Sequence, residues 1–119
     1  MSHYKIKLVS ASQSGDRHTF VFSNGTRRKV RITGSGVSDF DALCSALPQL
    51  TRGFPGIQLP AELTQALNHV DAGRGVTTYR LNFRGREGTR QVRLEEKATK
   101  SRRVSLGVKA VLIAINLCN

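Results

Sequence analysis

His18-Thr19-Phe20-Val21-Phe22-Ser23-Asn24-Gly25-Thr26-Arg27-Arg28-Lys29-Val30-Arg31-Ile32-Thr33 decides the fold. Two runs rich in aromatic and β-branched residues flank Asn24-Gly25, a dipeptide that supplies the positive φ angles of a tight hairpin turn. The runs are therefore expected to pair antiparallel. A period of two sends Phe20, Phe22, Val30 and Ile32 toward a core and Lys29 and Arg31 away from it. Arg28 has core parity, and at a hairpin end its long stem lets the charged head snorkel outward.

The same logic recurs on either side. Thr77 to Arg84 and Thr89 to Glu95, joined across Gly85 and Gly88, read as a second hairpin, with Tyr79, Leu81, Phe83, Val92 and Leu94 inward and Arg80, Asn82, Arg84, Gln91 and Arg93 outward. Upstream, Tyr4 to Val9 reads as a half-buried strand with Tyr4, Ile6 and Leu8 inside and Lys5 and Lys7 outside. The hairpins echo each other, Gly25-Thr26-Arg27-Arg28-Lys29-Val30-Arg31-Ile32 against Gly88-Thr89-Arg90-Gln91-Val92-Arg93-Leu94, and each precedes a helical candidate. Strands with exposed arginines often look alike, so this match serves only as a hint of pseudo-symmetry.

Between the hairpins, Ser38 caps a short helix with Asp39 and Asp41 in its first turn, Phe40, Leu43 and Leu47 on its inner face, and Pro48 at its end. Gly53-Phe54-Pro55-Gly56 is a loop. Pro60 then opens a second helix, with Leu63, Ala66, Leu67 and Val70 at helical spacing and Gly73 as its end signal. In the last segment Val104, Leu106 and Val108 alternate like a strand, yet Val104, Val108, Val111, Leu112 and Ile115 form one helical stripe, and the length of the run favours a helix. Leu106, Ile113 and Leu117 make its opposite side apolar too, so it needs cover on more than one side. A partner subunit in a homodimer supplies that cover, with the helix at or near the interface; burial as a central helix within one chain is the equal alternative. The expected architecture is α+β: one antiparallel sheet of about five strands with helices packed on one face, forming a single basic domain over residues 1–119.

The chain carries 19 Lys and Arg against 8 Asp and Glu, a formal net charge of +11. Hydrophobic residues make up 39%, too many for a disordered basic tail, so the charge belongs to a folded protein and suggests a polyanionic partner. The charge is segregated. Residues 1–33 hold seven cations and only Asp16, a balance of +6; residues 34–73 set Arg52 against Asp39, Asp41, Glu62 and Asp71, a balance of −3; residues 74–119 hold eleven cations and Glu87, Glu95 and Glu96, a balance of +8. Segregated charge can build a face, whereas scattered charge mostly aids solubility. The N-terminal residues lack the apolar core of a signal peptide, and Val104 to Cys118 falls short of a bilayer span, so neither secretion by that route nor membrane insertion is expected. Cys44 and Cys118 stand apart with no metal-ligand spacing and read as buried thiols of an intracellular, cytoplasmic protein.

Catalysis has little support. His3, His18 and His69 belong to no nucleophile or metal motif, Gly34-Ser35-Gly36 lacks the lysine and spacing of a phosphate-binding loop, and Glu95-Glu96 point to opposite faces of a strand. No catalytic residue, metal or cofactor is therefore assigned. The constellation that recurs is basic: in a single sheet Lys5, Lys7, Lys29, Arg31, Arg80, Arg84 and Arg93 share the face opposite the core. Arg27 and Arg90 lie beside the turns, and Lys97, Lys100, Arg102 and Arg103 extend the charge to the start of the last helix. Cations there oppose the helix dipole, so helix stability does not explain them, whereas a partner phosphate does. Arg outnumbers Lys thirteen to six, and the guanidinium fork suits phosphate.

The expected partner is thus nucleic acid, RNA or DNA, held through its backbone. Phe20, Phe22, Tyr79 and Phe83 have core parity, which leaves Phe54 as the one free ring for stacking. The cluster Lys100 to Arg103 resembles, over about one turn, the basic helix start of a double-stranded RNA-binding domain, but the strand order before it differs and nothing is carried over. A second reading is a viral or phage coat protein with an inward basic sheet face, found in the virion. The sheet-plus-helix layout is similar in outline to small RNA-phage coat proteins, although the acidic block at 34–73 departs from their strand-rich middle. A third reading is a protein-binding module or inhibitor that docks an acidic partner.

Overall fold

A computed structural model describes residues 5–66, 69–71, 73–97 and 105–119. The deciding hairpin forms from β2 (Arg17–Ser23) and β3 (Lys29–Ser35), in the register Ser23↔Lys29, Phe22↔Val30, Phe20↔Ile32. Phe20, Phe22 and Ile32 are buried and Val30 is half-buried on the inner face, as the parity required. The turn is wider than a two-residue one. Gly25 adopts φ 88°, and Asn24 Oδ1 accepts from the Thr26 amide at 3.2 Å and the Thr26 hydroxyl at 2.6 Å, so side-chain bonds close a loop over 24–28. Arg28 sits exposed in that loop and has no strand parity.

β1 (Lys7–Ser14) pairs antiparallel with β2 across Gly15, whose φ of 63° makes the turn. It starts and ends later than the sequence suggests. Lys5 and the buried Ile6 precede it, Tyr4 lies outside the described residues, and a register shift at Val9 carries the strand on to Ser14. Ser10 to Ser14 have no apolar alternation because this half of the strand is exposed on both faces; the ladder to β2 alone holds it.

The strands make two sheets in place of the expected single one. β1-β2-β3 is the first. In the second, β6 (Val76–Gly85) pairs with β7 (Gly88–Lys97) on one side and with β4 (Ala61–Gln65) and then β5 (His69–Asp71) on the other. On its free edge β3 is met by a side chain, that of Gln49. Its amide accepts from the Thr33 N–H at 3.2 Å and donates to the Thr33 carbonyl at 2.8 Å, occupying the edge of β3 as a neighbouring strand would.

β4 and β5 also replace the helix expected from Pro60 to Gly73. Helical spacing of Leu63 and Ala66 is outweighed by the unfilled edge of β6: Thr64 pairs with Asn82, Gln65 with Leu81, and Gln65 Oε1 accepts from the Tyr79 hydroxyl at 2.9 Å. The register shift between Ala61 and Thr64 contains Glu62 at φ 52°, a bulge that adjusts β4 to its partner. Leu67, Asn68 and Ala72 lie outside the described residues.

Helix α1 (Asp39–Ala46) is capped by Ser38, whose hydroxyl accepts from the Asp41 amide at 3.2 Å. Pro48 does not end the helical path. It occupies the start of a tight turn over Leu47–Gln49, where its missing N–H is harmless, and a short helix α2 (Leu50–Gly53) follows. α1 lies on β2 and β3 because Gly34 and Gly36 have no Cβ: one on Gly34 would collide with the Ala42 carbonyl, and one on Gly36 would fall 2.7 Å from the Ala42 nitrogen. That packing, beyond an ordinary turn, is what the glycine pair serves.

Helix α3 (Leu106–Cys118) packs on β6 and β7 and against α1. Ser105 caps it, accepting from the Val108 amide at 3.2 Å and donating to the Asp39 carboxylate at 2.8 Å, so the starts of α1 and α3 are tied together. Each of these helices covers the hairpin that precedes it, which gives the sequence echo a structural counterpart. The chain itself buries Leu106, Val108, Ala110, Val111, Ala114 and Ile115, and one hydrophobic cluster joins both sheets to the helices. Among the described residues no helix is long and apolar enough to cross a membrane.

Candidate nucleic-acid interface

Strand parity builds a polar surface on the side of the first sheet away from α1. Along β1 it presents Lys7, Ser10, Ser12 and Ser14; along β2, Arg17, Thr19, Val21 and Ser23; along β3, Lys29, Arg31, Thr33 and Ser35. Every side chain but Val21 is a cation or a hydroxyl, and no carboxylate interrupts them. The cross-strand rows show how the charge is grouped: Lys7 and Lys29 flank Ser23, Arg31 sits beside Val21, and Arg17 marks the far end. The Thr19 and Thr33 hydroxyls approach to 3.4 Å. Among the described residues, none of these cations has a carboxylate within ion-pair distance.

The outer face of the second sheet carries Arg80, Arg84 and Arg93 with Asn82 and Gln91, whose amides bond each other at 2.8 Å. Arg80 lies directly opposite Arg93, a like-charged cross-strand pair that costs stability. Here acids intervene. Glu95 pairs with Arg93 at 2.7 Å, and Glu62 reaches Arg84 at 3.8 Å. The seven-cation face expected from one sheet is thus divided between two sheets, and its second half is partly neutralised.

Other expected members leave the face altogether. Lys5 precedes β1 and donates to the Asn116 carbonyl at 3.0 Å, placing its charge at the negative end of α3. Arg90 pairs opposite Phe83, on the opposite parity to Arg93, yet stays exposed and donates at 3.5 Å to the Leu117 carbonyl at the same helix end. Arg27 is exposed in the loop between β2 and β3, and Lys97 ends β7. Lys100, Arg102 and Arg103, with the resemblance built on them, lie outside the described residues. Phe54 is fully buried, so it is a core residue and not a stacking ring.

Sequence reasoning missed the hydroxyls of β1 because it stopped the strand at Val9, and strict alternation from Lys7 would have put Val9, Ala11 and Gln13 on this face: the register shift at Val9 exchanges the parity and brings Ser10, Ser12 and Ser14 there instead. Arg17 was missed because the second run was begun one residue late, at His18. Arg52 was also set aside as the lone cation of an acidic segment. The fold brings Arg52 beside Arg28, Lys29 and Arg31.

The remaining reactive groups sit away from these surfaces. His18 is buried and stacks on Phe20 at 6.2 Å. Burial, aided by the charge of Asp41, pushes the Cys44 thiol up to about 11, and burial raises that of Cys118 as Arg90 pulls it partly back, so both thiols stay protonated at neutral pH. Burial, with Cys44 and Asp39 adding to it, pushes the Tyr79 hydroxyl up to about 12. Among the described residues no three His, Cys, Asp or Glu side chains gather as a metal site. No family model matches the chain, and no curated protein matches it at a significant level.

Proposed function

We propose that the protein binds nucleic acid through its phosphates, with the outer face of the β1-β2-β3 sheet as the principal contact surface and the Arg80 region of the second sheet as an auxiliary one. The observation that carries this reading is the composition of that first face: Lys7, Arg17, Lys29 and Arg31 set among serine and threonine hydroxyls, with no acid and no ion pair among the described residues. Cations and hydroxyls are the side chains that contact phosphate and sugar oxygens, and such contacts position a backbone without reading its sequence. Among the described residues the face has no exposed aromatic, which favours backbone contact over base stacking.

The test is a binding titration against single strands, duplex RNA and duplex DNA over a range of salt. If those four cations each displace one counterion, log affinity falls against log salt with a slope of roughly −3 to −4. Neutralising Lys7, Lys29 and Arg31 together lowers that slope by about 2 to 3. Absence of binding to every form at low salt defeats the reading. The homodimer expected from the apolar girth of α3 has less left to cover, since among its apolar side chains Leu112, Ile113 and Cys118 are half-buried and Leu117 is exposed. Size-exclusion chromatography decides between monomer and dimer, and particles seen by electron microscopy would favour a coat role.

A further inference from the structure

We infer that the cleft between β3 and α2 is a phosphate grip in its own right, completed by Arg52; the inference rests on the nucleic-acid reading and specifies where the backbone is held most firmly. The cleft, of about 320 Å³, is lined by Arg28, Lys29, Arg31 and Arg52 together with Val30, Gln49 and Gly53. Four cations converge there, from the β2–β3 loop, from β3 and from α2. No carboxylate lines the cleft, and among the described residues none of the four makes an ion pair. Like charges gathered without compensation repel one another, so folding alone gives no reason to assemble them. A phosphodiester backbone does, because three of the four are arginines whose planar forks hold phosphate oxygens in pairs.

The cleft is also built rigidly, as a grip requires. Gln49 ties the start of α2 to β3 through both hydrogen bonds to Thr33, 3.2 and 2.8 Å long. At the other end of α2, Gly53 lies so close to Val30 that a Cβ there would collide with its methyl groups. Arg52 is held between these fixed points. A cation in the last turn of a helix gains a few tenths of a kcal/mol from the dipole, which accounts for Arg52 alone and not for Arg28, Lys29 and Arg31 beside it. Lys29 and Arg31 belong both to the cleft and to the sheet face, so a backbone lying on the face continues round the β3 edge into the cleft.

The experiment compares wild type, R52Q, R52K and a K29Q/R31Q double variant in salt titrations by fluorescence anisotropy, with a single-stranded oligonucleotide, an RNA duplex and a DNA duplex as probes. R86Q, in the β6–β7 turn and not among the residues that line the cleft, serves as a charge control. R52Q is expected to weaken binding about tenfold at low salt and to lower the salt slope by about 1, with an unchanged urea midpoint, while R86Q stays near wild type. R52K is expected to keep the slope and recover only part of the affinity, since an ammonium replaces the charge but not the fork. Should R52Q match wild type in affinity and slope while K29Q/R31Q loses both, the cleft inference is wrong and the nucleic-acid reading survives. If wild type binds none of the probes, that broader reading fails first. Tighter binding to an acidic peptide than to any oligonucleotide, lost in R52Q, overturns the inference in favour of a protein partner.

Discussion

Gly53→Ala offers a direct test of how α2 is seated. The new Cβ would strike Val30 Cγ2, with Val30 Cγ1 at 2.7 Å and Val30 Cβ at 3.0 Å. Val30 is β-branched and fixed on β3, so it has few rotamers with which to yield. Overpacking of this kind costs about 1–3 kcal/mol, and an approach this close to a stiff side chain belongs to the upper part, about 2–3 kcal/mol; alanine returns at most about 1 kcal/mol in helix propensity, leaving a net loss of about 1–2 kcal/mol. Val30→Ala alone gives up about 1 kcal/mol of burial, because Val30 is only half-buried. In the double variant the two colliding methyl groups are gone and only the residue-30 Cβ at 3.0 Å remains close, so its stability should lie near that of Val30→Ala, with a coupling of about 1–2 kcal/mol. Urea unfolding reads this out as a midpoint lowered by roughly 0.5–1 M in Gly53→Ala, and barely lowered further when Gly53→Ala is added to Val30→Ala. Additive losses, or a Gly53→Ala variant as stable as wild type, would refute the close approach of α2 to β3 and with it the fixed position of Arg52.

Three other outcomes follow from the packing. Phe54→Ala removes a fully buried ring and should cost about 3–5 kcal/mol in urea unfolding while leaving the nucleic-acid affinity of the folded protein unchanged; lost affinity at undiminished stability would restore it as a stacking residue. Asp39→Ala strips Ser105 of an acceptor at 2.8 Å and uncouples the starts of α1 and α3, an expected loss of about 1–2 kcal/mol by thermal or urea unfolding, of which Asp39→Asn regains a part. Folding holds Cys44 and Tyr79 protonated, so the native state binds more protons than the unfolded chain above the ordinary values of 9.0 and 10.0. Their stabilisation is whole below about pH 9 and is lost as pH rises, for Cys44 toward about 11 and for Tyr79 toward about 12. The urea midpoint should therefore fall across that window, and Tyr79→Phe should flatten the upper part; an identical profile in that variant would exclude the tyrosine as a cause.

The hairpins and α1 were legible because their signals are local: alternating parity, glycine at the turns and a serine before two acids. The segment after Pro60 was not. Leu63, Ala66 and Val70 have helical spacing, but that periodicity cannot register that β6 needs a partner along its second edge, and the partner residues, Thr64 and Gln65 against Asn82 and Leu81, are supplied by tertiary context. The division into two sheets was hidden for the same reason, since strand pairing across the chain is not a local signal, and nothing local marks Gln49 as the partner of Thr33. Of the candidate site, the outward cations of β3 and β6 could be read by parity, whereas Arg52 could not: counted by segment it belongs to a −3 block, and only the approach of α2 to β3 brings it among cations.

That regrouping changes which cations should matter. At physiological salt the Debye length is about 8 Å, well short of the molecule's 45 × 36 × 24 Å extents, so a phosphate senses the charges around it and not the total of +11. Around Arg93 and Arg84 the local balance is reduced by Glu95 and Glu62. Those exposed pairs contribute at most about 1 kcal/mol each to stability, yet a phosphate arriving at either arginine must share it with a carboxylate. Around Lys29, Arg31 and Arg52 there is no such competitor among the described residues. Charge-neutral substitutions made one at a time should therefore rank by their effect on the salt slope, with Arg31 and Arg52 largest, Arg80 intermediate as an arginine without an acidic partner among the described residues, and Arg84 and Arg93 smallest. An inverted ranking, with Arg84 and Arg93 dominant, would move the contact surface to the second sheet and show that binding breaks the ion pairs with Glu62 and Glu95.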